Sequence, residues 1–314
     1  MCAVSRNAIL LALSALVCLA ADQPSFESRK TNVRALLDKQ DFEAALVQAK
    51  AINSEWPDDV AAYQLIVEAQ MGLGNYTEAE RALQWMLDLR IGKADARGWL
   101  LVARFRETIG DIDGAMDAVN AAYGKLSPAE NELRVRLLAY SGHLQFAAGK
   151  LENADRVLRE CLAVDPASEA ALEALASVRI AQNRHEEARG ILAGLARSGN
   201  PRYLFELAEE RRDSEGYAAF ERAARARMTQ LGNANRELVL YYAGLGKRPD
   251  EALEIARGEA SRRHDVLTLD ALTVALLATG NLAEARSTMQ RVLEIGARHP
   301  EILRHAAELG LKAN

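Results

Sequence analysis

The sequence predicts an all-α protein, an α-solenoid of about eight antiparallel helix pairs closed by a C-terminal capping helix. Three observations carry that prediction. A six-residue unit recurs, as Gly74-Asn75-Tyr76-Thr77-Glu78-Ala79, Gly110-Asp111-Ile112-Asp113-Gly114-Ala115, Gly149-Lys150-Leu151-Glu152-Asn153-Ala154 and Gly280-Asn281-Leu282-Ala283-Glu284-Ala285. Its last residue returns at Ala45, Ala79, Ala115, Ala154, Ala188, Ala252 and Ala285, with a weaker copy at Ala219, so successive spacings are 34, 36, 39, 34, 31, 33 and 33. A sustained period of that length marks stacked supersecondary units. The composition agrees: 49% apolar and 26% charged residues describe a folded chain, and only 5% aromatics suits helices packed closely through Ala and Leu.

Each unit has a mechanical reading. Apolar residues at helical spacing precede it, as in Tyr63, Leu65, Ile66 and Ala69. Gly74 then ends the first helix in the left-handed region, where a Cβ would clash. Asn75, Asp111 and Asn281 are positioned to cap the second helix, with Glu78 and Glu284 three residues on as the other half of a capping box. The second helix follows, for example over residues 79–89 with Leu83, Met86 and Leu87 on one face; Pro57 and Pro166 mark where two such helices stop. The recurrent Ala lies early in the second helix, where a larger side chain would push the pair apart.

Residues 196–235 fit the pattern least well. Asn200-Pro201 and Leu231-Gly232-Asn233 interrupt it and predict a kink or an irregular pair. The tail 300–312 carries Ile302, Leu303, Ala306 and Leu309, which can cover the exposed face of the last pair, as a solenoid end requires. Because each pair touches mainly its neighbours, the expected array is curved and elastic, without a single globular core.

Residues 1–21 read as a secretory signal peptide. Arg6 is its single charge, residues 9–19 are apolar except Ser14, and Leu19-Ala20-Ala21 ends in small residues. Val17 before Cys18 argues against a lipoprotein. Removal of the leader takes Cys2 and Cys18 and leaves Cys161 alone in residues 22–314, so no internal disulfide can form. No later segment approaches the ~20 apolar residues of a membrane span. The expected location is outside the cytoplasm, in a bacterial periplasm or cell envelope, with secretion as the alternative.

The chain resembles the tetratricopeptide repeat family over nearly all of residues 22–314. Trp99 and Tyr63 stand at that family's bulky first-helix position, Gly142 at its small position, and Phe42 and Tyr76 at the aromatic opening the second helix. The stretch from Gly149 to Leu162-Ala163-Val164-Asp165-Pro166 is the best single copy. The resemblance implies a right-handed superhelix whose first helices line a concave groove, with their second, fifth and ninth positions meeting a ligand. Carried over residue by residue, those positions are Gln64, Glu68, Arg97, Arg104, Arg136, Tyr140 and His143. Three arginines with a Tyr and a His favour an acidic or carboxylate-bearing protein or peptide. The asparagines of the family's clamp for a carboxylate-terminated tail are not matched.

Nothing in the sequence marks a reaction centre. It lacks a Walker loop, Cys-x-x-Cys, His-Glu-x-x-His and Gly-x-Ser-x-Gly, so no cofactor and no metal are expected. Gly244-Leu245-Gly246-Lys247 has no preceding strand and no hydroxyl residue after Lys, and reads as the turn of the seventh pair. The five histidines are scattered; His299 and His305 lie six apart, off one helical face, and read as solvated surface. In His185-Glu186-Glu187 the acids read as capping residues, and Cys161 as a small core residue. A net charge of −5, from 39 basic and 44 acidic residues, offers no basic surface for nucleic acid. Arg211-Arg212-Asp213 and residues 222–227 read as solvated helix faces, and Asn75-Tyr76-Thr77 as a sequon that is equally a turn. The expectation is a non-enzymatic exported scaffold that binds a protein segment. The alternative is an accessory superhelix binding envelope glycan or peptidoglycan, for which Tyr140, Phe146 and Tyr241 are few rings. An enzyme would need clustered acids or histidines in one pocket.

Overall fold

The computed structural model describes residues 25–88, 95–230 and 232–312. The predicted leader, with Cys2 and Cys18, and the positions Leu89 and Leu231 lie outside the described residues. Seventeen helices among them form eight antiparallel pairs and a last helix. The pairs are α1 (Phe26–Asp38) with α2 (Phe42–Glu55), α3 (Val60–Gly72) with α4 (Tyr76–Asp88), α5 (Ala96–Thr108) with α6 (Ile112–Tyr123), and α7 (Asn131–Ala147) with α8 (Leu151–Val164). They continue as α9 (Glu169–Ala181) with α10 (His185–Ala196), α11 (Pro201–Arg211) with α12 (Ser214–Arg227), α13 (Arg236–Ala243) with α14 (Pro249–Ala260), and α15 (Val266–Ala278) with α16 (Leu282–Glu294). The last helix is α17 (Pro300–Glu308), which buries Ile302, Ala306 and the following Leu309. None of the described helices is long and apolar enough to cross a membrane.

One device closes all eight pairs. The turn between the two helices holds a single left-handed residue: Gln40, Gly74, Gly110, Gly149, Asn183, Arg212, Lys247 or Gly280. The next residue takes the cap position just before the second helix. Where that residue is Asp41 or Asp111, its carboxylate accepts from the N–H of Ala44 or Gly114. Asn281 departs from expectation and donates to Thr279 Oγ1 at 2.8 Å, while the Asn75 amide donates to Gln70 Oε1 at 2.9 Å. The predicted capping boxes are replaced by ion pairs, Glu78 with Arg81 at 2.6 Å and Glu284 with Arg257 at 2.7 Å. A guanidinium within reach binds a carboxylate more strongly than a single neutral N–H does.

Seven of the eight recurrent alanines are fully buried: Ala45, Ala79, Ala115, Ala154, Ala188, Ala252 and Ala285. The sixth unit is corrected. Counted from the cap Asp213, the equivalent position is Tyr217, not Ala219, and Phe220 is the fully buried neighbour. Gly216 keeps that contact close, because a Cβ there would lie 3.1 Å from Ala208 Cβ. Of the two interruptions expected in 196–235, the one at Asn200-Pro201 opens an ordinary helix and the one around Gly232-Asn233 is the irregular segment. Helices α11 and α12 make an ordinary pair, and the departure is the connector before the short α13. There Asn233 donates to Arg227 O, and Asn235 donates to Met228 O and to Glu259 Oε1 at 2.7 Å.

The coil also closes on itself, which the expectation of an elastic array did not include. Three consecutive turns seat on three consecutive connectors roughly 190 residues later, in a stacked second winding. Gln40 Nε2 donates to Gly232 O at 2.8 Å. Gly74 lies so close to His264 that a Cβ would come within 2.3 Å of its carbonyl oxygen, and beside it Val266 N–H donates to Tyr76 Oη at 3.3 Å. Gly110 meets the Gly296 carbonyl in the same manner, 2.5 Å from a built Cβ. The equivalent turns at Gly149 and Gly280 have nothing within 4 Å. One apolar core accordingly joins residues from Val33 to Leu144 with residues from Phe220 to Leu309.

Candidate functional site: the inner wall of the coil

First helices of successive pairs pack on one another along the coil, except that α9 and α11 are joined mainly by the ion pair of Glu173 and Arg202. Such close approach belongs to the concave side of a curved array, so these helices form the inner wall. Their polar residues are linked across helices at about one repeat of separation. Arg34 of α1 pairs with Glu68 of α3 at 2.5 Å. Glu107 of α5 accepts from Tyr140 Oη at 2.5 Å and meets His143 Nε2 at 2.6 Å, both on α7. Glu173 of α9 pairs with Arg202 of α11, which also reaches Glu206 at 3.2 Å. Arg236 of α13 holds Asp270 of α15 at 3.5 Å and Glu301 of α17 at 2.8 Å, and Asp270 in turn meets His305 Nδ1 at 2.7 Å.

Electrostatics bind this wall into one system. Burial by itself would raise the Glu107 carboxyl, but its bonds to His143 and Tyr140 and the nearby Arg104 more than offset that and hold it below the usual range. Burial likewise pulls His143 down, and the Glu107 carboxylate outweighs it, so the imidazole is raised. Glu206 behaves differently. Burial, then the like charge of Glu173, push it up to about 7 despite Arg202.

The structure disperses some predicted groove residues and gathers others. Gln64 is buried and donates to Asp95 Oδ1 at 2.9 Å, at the cap of α5. Glu68 is held by Arg34, and Arg136 is exposed and paired with Glu132 of its own helix at 2.7 Å. Arg97 is exposed, with Glu130 in its electrostatic reach. Arg104, Tyr140 and His143 come together around Glu107, the Tyr140 and His143 rings stacked at 6.1 Å. The Arg104 side chain is exposed and has neither a hydrogen bond nor an ion pair among the described residues.

Sequence reasoning missed Glu107, Glu173, Arg202, Glu206, Asp270 and His305. A usable signal exists: the partners Arg34 and Glu68, Glu169 and Tyr203, and Arg236 and Asp270 are each separated by 34 residues, the repeat length itself. The reading of the histidines as solvated surface is corrected in part. His305 is 3% exposed and bonded to Asp270, and His143 is half-buried, whereas His185 is exposed and meets Glu210 at 2.8 Å. A buried His is retained where a carboxylate satisfies its ring N–H.

Tetratricopeptide-repeat family models match residues 65–131 and residues 145–204, so these two segments carry repeats of that family. No curated protein matches the sequence. Among solved structures, a human IFIT1 dimer with PPP-AAAA superposes with a TM-score of 0.55 at 12% identity, over 88% of this chain and 74% of that one. PilF of Pseudomonas aeruginosa superposes with a TM-score of 0.50 at 16% identity, over 66% of this chain and 94% of that one. PilW, a type IV pilus biogenesis factor, gives 0.50 at 15% identity with the same coverage. At these identities the similarity speaks for the fold: an all-α helical-repeat solenoid.

Proposed function

We propose that this helical-repeat protein is a non-enzymatic interaction scaffold whose inner wall receives an extended, carboxylate-bearing segment of a partner protein. The observation that carries the reading is Arg104: an uncommitted guanidinium on a wall whose other charges are largely paired, beside the Tyr140, His143 and Glu107 cluster. A fixed guanidinium fork binds a carboxylate in two hydrogen bonds and fixes its orientation. Arg97, two turns earlier on the same face of α5, extends the same positive stripe. Carboxylates at Glu107, Glu173, Glu206, Glu237, Asp270 and Glu301 make the wall a poor match for the continuous charge of a nucleic acid. Export is part of the proposal. It rests on the leader-like pattern of residues 1–21, and the type IV pilus role named for PilW points the same way.

The test is comparative crosslinking capture from the source cell envelope with the wild-type chain and with Arg97→Glu, Arg104→Glu and Arg136→Glu combined. Reversal of the stripe should weaken capture of the specific partner by roughly tenfold or more. Equal recovery of the same partner by both proteins would move the binding face elsewhere.

A further inference from the structure

Where the second winding stacks on the first, it leaves a cleft of about 510 Å³. That is within the size range of small-molecule pockets, roughly 300–1,000 Å³. Its floor is apolar: Leu37, Leu101 and Val266 are buried, and Phe42 and Met71 lie beside them half-buried. The charges around it divide into those already used and those left over. Glu68 is held by Arg34, Asp265 caps α15, and Arg263 is paired with Glu259 at 3.0 Å.

The remainder forms two opposite sets. The Arg104 guanidinium has no hydrogen-bond or ion-pair partner among the described residues, and Arg236 has a buried Nε–H with no acceptor while its Nη2 holds Glu301 and Asp270. Buried donors of this kind ordinarily find an acceptor. Asp38 and Glu237, also lining the cleft, make no hydrogen bond or ion pair among the described residues. We propose that the cleft is a binding site for a small zwitterion with an apolar side chain, an apolar α-amino acid or its dipeptide. The carboxylate takes Arg104 and the Arg236 Nε–H, the ammonium takes Asp38 and Glu237, and the side chain covers the apolar floor. A doubly charged phosphate would meet two uncompensated carboxylates, and a plain hydrocarbon would strand four polar groups at an apolar surface. The site rests in part on the inner-wall reading, because it takes Arg104, Arg236 and Glu237 from that wall; binding of a zwitterion by the purified chain without any partner is read separately from partner capture.

The experiment is titration calorimetry on the purified full chain with L-leucine, L-phenylalanine and leucyl-leucine, beside leucinamide and N-acetylleucine, which each lack one charge. Saturable binding of a zwitterion is expected, about tenfold or more weaker for both blocked forms. Arg104→Met and the double change Asp38→Asn with Glu237→Gln should each weaken it by a similar factor with circular dichroism unchanged. The proposal is overturned if no zwitterion binds at millimolar concentration, if inorganic phosphate binds instead, if the blocked forms bind as well, or if Arg104→Met leaves the affinity as it was.

Discussion

Two regions of the coil are held in different ways. Pairs one to three and pairs seven and eight, with the last helix, share one apolar core that also takes in parts of the first helix of pair four and the second helix of pair six, because turns at Gln40, Gly74 and Gly110 rest on connectors at Gly232, His264 and Gly296. Pairs four to six are not closed over in this way. Much of their apolar surface lies in two smaller clusters, from Leu138 to Val178 and from Ala176 to Leu207. Polar ties fill in there: the buried Arg179 joins Asp155 at 2.6 Å and Glu187 at 3.1 Å, and Arg202 joins Glu173 and Glu206. A solenoid normally draws stability from nearest neighbours alone, and the middle pairs obey that rule. The ends escape it by making contacts across nearly two hundred residues, and should open last.

The largest test of this contrast compares two glycines with the same backbone. Gly110 and Gly149 both have left-handed φ, +80° and +72°, but only Gly110 faces another winding. Gly149→Ala should cost about 1–2 kcal/mol from backbone strain. Gly110→Ala adds the displacement of the Gly296 carbonyl and should cost roughly 2–5 kcal/mol. Urea denaturation midpoints measure both, and equal losses would mean that the windings do not touch in solution.

A smaller effect, of opposite sign, comes from the non-glycine turns. Arg212 in the middle is held at φ +53°, and Arg212→Gly should stabilise by about 1 kcal/mol in thermal melting. Gln40→Gly relieves the same strain but loses the bond to Gly232 O, about 0.5–1.5 kcal/mol, so its net change should be near zero. A full gain at Gln40 would show that this bond adds nothing to the seam.

The third test is the pH response of the middle. Glu206 is raised to about 7 from its ordinary value of 4.5, so the folded chain binds protons more readily than the unfolded one. Its contribution to stability is complete below the unfolded value and is lost as pH rises through about 7. His143 is also raised and adds in the same direction. Melting temperatures between about pH 5 and pH 8 should therefore fall, and Glu206→Gln should flatten the fall. An unchanged slope in that variant would assign the response to other groups.

How far the sequence could be read depended on the range of the interaction concerned. The alanines at 45, 79, 115, 154, 188, 252 and 285 were recognisable because a close helix contact tolerates little else, and all seven are fully buried. The sixth unit misled because Ala219 resembles the pattern by identity while the helix start at Asp213 sets the true register, two residues earlier at Tyr217. Of the groove residues taken from the resemblance, Arg104, Tyr140 and His143 do converge, yet the carboxylate that gathers them, Glu107, sits one turn from Arg104 and a repeat away from Tyr140 and His143. Arg136 carries the same charge as Arg104, and only a neighbour on its own helix, Glu132, takes it out of use.

By itself the sequence determined the local apparatus: eight helix pairs, the left-handed glycine in four of the turns, and the last helix over the final pair. These depend on backbone sterics, caps and apolar spacing within a few residues. The tertiary structure alone decided that the coil would close, which turns would carry the closure, and which charges would be left over in the cleft between windings. The rotation from one pair to the next is small and arises from side-chain packing between pairs. Only its sum over roughly 190 residues brings Tyr76 to Val266, and no single residue records that sum.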